Sequence, residues 1–89
     1  MAKNFGLEEA IRAALSAEFH PSRLEVLNES HKHAGHAGDD GSGESHWHVT
    51  MRSTRLSGMS RIARHRAVHD ALGPAIMGRL HALSLDLAE

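Results

Sequence analysis

The sequence predicts a single α+β domain, on three observations. Two segments carry apolar residues at helical spacing, three shorter ones alternate apolar and polar residues, and glycine or proline punctuates several of the joins. The predicted order is helix, strand, strand, helix, short helix, strand. One sheet face is expected under the helices, and the other partly open. At 89 residues, the chain has room for one small domain spanning 1–89 and not for separate cofactor and substrate domains.

In the first helix, Leu7, Ala10, Ile11, Ala14 and Leu15 form the apolar stripe. Asn4 is the expected N-cap, and Glu8 and Glu9 sit where the helix dipole favours acids. Pro21 disfavours helical geometry at His20, which ends the helix. Arg23 to Asn28 then sets Leu24 and Val26 against Arg23 and Glu25. His46 to Ser53 sets Trp47, Val49 and Met51 against His46, His48, Thr50 and Arg52. These two strands are expected to form a hairpin. The connection, about Glu29 to Ser45, holds four of the eight glycines. It far exceeds the usual hairpin loop of about two to five residues, and such loops are normally functional or disordered.

Ser57-Gly58 marks a turn, and Ser60 to Leu72 is helical again through Ile62, Ala63, Ala67, Val68, Ala71 and Leu72. Gly73 stops this helix, Pro74 opens a short one through Met77, and Gly78 suits its C-cap. Leu80 to Leu87 is the third strand, with Leu83, Leu85 and Leu87 on one side. The expected core is Leu7, Ile11, Leu15, Leu24, Val26, Val49, Met51, Ile62, Leu72, Leu83 and Leu85.

Hydrophobic residues make up 40% and charged residues 24%, ordinary globular usage that argues against a wholly disordered chain. No apolar run approaches the roughly 18 residues a membrane span needs, and no signal peptide is recognisable, so a cytoplasmic protein is expected. With no cysteine, the chain has neither a disulfide nor a thiolate metal site of its own. There is also no G-x-S-x-G, P-loop, G-x-G-x-x-G or H-E-x-x-H, so no catalytic residue is assigned and no enzyme is expected.

Two features stand out from this background. Nine histidines are present, with His31, His33, His36, His46 and His48 in one stretch. Imidazole is the commonest metal ligand, and His33 and His36 lie in a segment whose glycines let it bend toward an ion. His46 and His48 share a sheet face, where solvent exposure explains them as well as ligation does. His81 sits where the Gly78 turn feeds the last strand, a place both rigid and exposed. The second feature is charge segregation. No acid stands between Glu44 and Asp70, while Arg52, Arg55, Arg61, Arg64 and Arg66 all do. Arg61, Arg64 and Arg66, with His65, are candidates for contact with an acidic partner or with nucleic-acid phosphates. A solvated helix face explains them too.

Glu44-Ser45-His46-Trp47-His48-Val49 entering a strand, Arg64-His65-Arg66-Ala67-Val68-His69 in a helix and Leu80-His81-Ala82-Leu83-Ser84 opening the last strand together resemble the BolA family. The resemblance runs from about Leu7 to Leu87. Trp47 replaces the family's usual phenylalanine, and Leu56 stands where an aromatic is common.

This resemblance implies a fold similar to the class II KH domain, with a three-stranded mixed sheet packed on helices. It also implies partnership with a monothiol glutaredoxin through a shared [2Fe–2S] cluster, in cluster trafficking or iron regulation. Glutaredoxin cysteine and glutathione thiolate would ligate one side. By the same resemblance, His81 matches the family's ligand histidine, and His33 matches the second ligand, with His36 as its alternative. Histidine ligation raises a cluster's potential and leaves a protonatable link. The Arg64-His65-Arg66 helix is then expected to position the partner or to neutralise cluster and glutathione charge. Some BolA-type proteins are described as transcription factors, so DNA is the alternative partner. Against DNA, the G-x-x-G with which KH domains grip nucleic acid is missing between the helices.

Overall fold

Leu7, Ile11, Leu15 and Phe19 recur every four residues, a repeat that places one apolar stripe along a helix. The computed structural model describes residues 6–29 and 46–89, and in it helix α1, Leu7–Phe19, buries all four. Asn4 lies outside the described residues. Gly6 holds the cap position with no side-chain hydrogen bond, so the expected Asn4 cap is corrected and the acids Glu8 and Glu9 serve the helix start. The helix stops at His20, which turns left-handed (φ 44°, ψ 56°) ahead of Pro21. The last carbonyls of α1 are met by side chains from elsewhere. Ser53 Oγ donates to Phe19 O at 2.6 Å and Arg55 Nη1 to Glu18 O at 2.9 Å.

Strands β1 (Arg23–Asn28) and β2 (His46–Arg52) form the expected antiparallel pair, with Val26 opposite Val49. Strand β3, Ala82–Ala88, runs parallel to β2 and sets Leu83, Leu85 and Leu87 beside Trp47, Val49 and Met51. The sheet order is β1-β2-β3 and the sheet is mixed. A parallel pair requires a long crossover. A single 3₁₀ turn at Thr54–Leu56 and helix α2, Arg61–Met77, provide it. The 3₁₀ turn has no periodic signature in the sequence. Ser53 Oγ accepts the Arg55 N–H and tightens the chain there, which buries Leu56.

Ser60 caps α2 by accepting the Ala63 N–H at 3.1 Å. The helix breaks at Gly73 (φ 79°, ψ 165°), so a first segment ends at Leu72 and a short one follows from Pro74, as the sequence predicts. The positive φ demands glycine there. Gly78 is the C-cap but stays right-handed (φ −68°, ψ −17°). Glycine suits it for space, because a Cβ would meet the Pro74 carbonyl at 3.0 Å.

The α1 stripe, Val26, Trp47, Val49 and Met51 form one core with Leu56, Val68 and Leu72. Leu24, Leu83 and Leu85 pack against it partly buried. Ile62 is a correction, since it is 65% exposed. The inward row of α2 is 64-68-72, and two residues' offset carries Ile62 about half a turn away from it.

Leu15→Ala should therefore cost about 2–5 kcal/mol in urea unfolding, while Ile62→Ala should cost less than about 0.5 kcal/mol.

Candidate functional site

The register of β2 with β3 places His46 opposite Ala82, so His81 stands one step before β3 at the end of the turn from Gly78. His81 is exposed and His46 is only 8% exposed, with their ring centroids 5.4 Å apart and their planes tilted by 51°. His46 is firmly held, because Glu29 N–H donates to its carbonyl at 2.8 Å on one side and β3 flanks it on the other.

Solvent exposure, which explained His46 as well as ligation did, is thereby overturned for that residue, and Thr50 is equally buried. Central strand β2 is flanked on both edges, and its residues are more buried than those of edge strands β1 and β3. His48 Nδ1 lies 2.6 Å from Ser84 Oγ and its Nε2 lies 3.4 Å from Thr50 Oγ1. The sheet's own polar network therefore engages His48.

His31, His33 and His36 lie outside the described residues. The segment that carries them is tethered at Glu29 and His46, the same end of the sheet as His81. Among the described residues, no group of three or more His, Cys, Asp or Glu gathers to hold a metal ion. His81 is thus an accessible imidazole at the mouth of β3, with a buried imidazole beside it.

The arginines gather at the opposite end. Arg64 Nε donates to Leu56 O at 3.1 Å, and its Nη1 donates to Leu87 O at 3.3 Å, fixing the first turn of α2 to the end of β3. Arg52 and Arg55 likewise bind backbone carbonyls, Arg52 on Asp86 O at 3.1 Å and Arg55 on Glu18 O. Arg61 and Arg66 are exposed, and among the described residues their side chains make no hydrogen bond or ion pair. Met59, Arg61, Arg64, His65, Leu85, Asp86 and Leu87 line a groove of about 440 Å³.

This groove and His81 lie about 16 Å apart along β3. Arg64 and His65, expected to position a partner or neutralise charge, thus stand away from His81, because α2 starts where β3 ends. The cation nearest His81 in sequence is Arg79, which is exposed and which the arginine run drew attention away from.

Arg64→Ala strips two carbonyls of a charged donor and should lower stability by about 1–3 kcal/mol. Arg66→Ala should change it by less than about 0.5 kcal/mol, both read by denaturant unfolding.

No helix among the described residues is long and apolar enough to cross a membrane. The family model described as BolA-like protein matches residues 15–89. An uncharacterised Sinorhizobium protein, named for its place in the cobS 5' region, is 53% identical over 92% of this chain and 89% of its own length. Mouse BolA-like protein 1 is 44% identical over 89% of the chain, which spans 55% of that relative. The Vibrio cholerae protein named DNA-binding transcriptional regulator BolA is 38% identical over 89% of the chain and 71% of its own length. Among solved structures, the BolA domain of SufE1 from Arabidopsis thaliana superposes with a TM-score of 0.81 at 34% identity, covering 97% of this chain and 94% of that one. The mouse BolA1 solution structure gives 0.74 at 43% identity, covering 97% of this chain and 67% of that one. Matched along most of its length in sequence and along nearly all of it in fold, the chain belongs to the BolA family of BolA-like proteins.

Proposed function

We propose that this protein is a non-enzymatic, cytoplasmic iron–sulfur adaptor that binds a monothiol glutaredoxin and shares a [2Fe–2S] cluster with it. The observation that carries the reading is the exposed His81 imidazole at the mouth of β3, on the side where the histidine-bearing segment leaves and re-enters the sheet.

The donor set fits half of a shared site. With no cysteine, the chain supplies no thiolate, and the described residues do not assemble a complete metal site. Glutaredoxin cysteine and glutathione would complete the ligand set, with His81 and either His33 or His36 as this chain's share. When bound, the cluster supplies a redox-active and transferable group, whose potential histidine ligation raises. His81 directly precedes β3, whose pairing with β2 begins at Ala82, and its ring lies 5.4 Å from that of His46.

A second reading is a nucleic-acid-binding regulator, favoured by the name of the Vibrio relative and by the exposed Arg61 and Arg66. Binding through phosphates alone would fall steeply with salt and show no sequence preference.

The test is reconstitution of the chain with a monothiol glutaredoxin, glutathione, iron and sulfide, followed by visible circular dichroism. A heterodimer spectrum distinct from that of the glutaredoxin homodimer is expected for the wild type and should be lost in His81→Ala. His33→Ala against His36→Ala then names the second ligand. No spectral change with wild type, while the glutaredoxin alone takes up cluster, overturns the reading.

A further inference from the structure

We infer that the outer edge of β3, beside the first turns of α2, is a docking site for an extended acidic peptide segment, which adds to the sheet as a fourth strand. The inference is argued independently of the shared-cluster reading, because the groove that selects the occupant flanks the far end of β3, at Leu85, Asp86 and Leu87.

The edge is identified by hydrogen bonding. Ser53 N–H donates to Ala88 O at 3.0 Å, which places the Ala88 backbone groups on the β2 side. Alternation along a strand then turns the N–H and C=O groups of Leu83, Leu85 and Leu87 outward. Arg64 reaching Leu87 O from α2 agrees with that assignment. Among the described residues, no strand pairs with this edge. Natural edges are commonly blunted by proline, lysine or a covering element. Strand β3 (Ala-Leu-Ser-Leu-Asp-Leu-Ala) has neither proline nor lysine, and Arg64 covers a single carbonyl.

The groove at this edge selects the occupant. Leu85 and Leu87 offer it apolar flank, and Arg61, Arg64 and His65 offer it positive charge. The start of α2 adds the positive end of a helix dipole. The groove's one acid, Asp86, is paired with Arg52 at 3.4 Å. An extended chain with alternating acidic and apolar residues meets each of these features, as edge-adding peptides do elsewhere.

The probe is an end-blocked peptide of about seven residues alternating glutamate and valine, titrated into the ¹⁵N-labelled chain. Binding should shift the amides of Leu83, Leu85 and the first turns of α2. It should also slow hydrogen exchange at Leu83 and Leu85 by about tenfold or more. Arg61→Glu should weaken binding about tenfold, with Arg61→Gln between it and wild type. A peptide of equal charge interrupted by proline should leave the exchange rates unchanged. Equal binding of the interrupted peptide, or no slowing at those amides, overturns the inference. So does a chain already protected there by pairing with a second copy, or single-stranded DNA displacing the peptide from the groove.

Discussion

Strand β2 is paired along both edges, antiparallel to β1 and parallel to β3, and its parallel partner governs where every other functional group lies. Parallel pairing obliges the chain to cross from one end of the sheet to the other before β3 begins. Helix α2 makes that crossing, so its first turn stands at the end of β3 and its last turn feeds the start. The same crossing sets His81 beside His46 and sends Arg61, Arg64 and His65 to the opposite end. Moving the register by one residue would turn the Leu83, Leu85 and Leu87 row away from the core, so the arrangement is specified by burial.

The division of labour among the arginines follows from this geometry. Arg64 begins the inward row that Val68 and Leu72 continue, at a point where α2 has not yet reached the apolar core. A guanidinium with several donors suits that position, because two backbone carbonyls are waiting for it. Arg52 and Arg55 serve the fold in the same way. What reads in sequence as one basic surface is therefore two populations, three side chains bound to backbone carbonyls and two, Arg61 and Arg66, turned to solvent.

The elements and their order are legible in the sequence because their signals are local: the α1 stripe, the alternation of β2, the Gly73-Pro74 break. Phe19 continues the α1 stripe by one more step of four and could have been placed in the core on that ground. Leu56 could not, because a 3₁₀ turn of three residues has no period to read. Ile62 misleads, since an apolar residue near a helix start counts toward a stripe whose direction only the packing reveals. The site is legible in part. His81 stands out by its place before a strand, whereas the burial of His46 depends on strand neighbours that only the sheet order supplies. The distance between His81 and the arginine groove depends on the crossover, which no local pattern encodes.

The central claim is that this chain lends a histidine to a cluster held jointly with a glutaredoxin. Pulsed electron paramagnetic resonance on the reduced mixed complex, with ¹⁵N-histidine incorporated only in this chain, tests it most directly. The account predicts ¹⁵N couplings of directly ligated imidazole in the wild type and none in His81→Ala, where the mixed cluster does not form. A reduced cluster signal without any ¹⁵N coupling from this chain would contradict it.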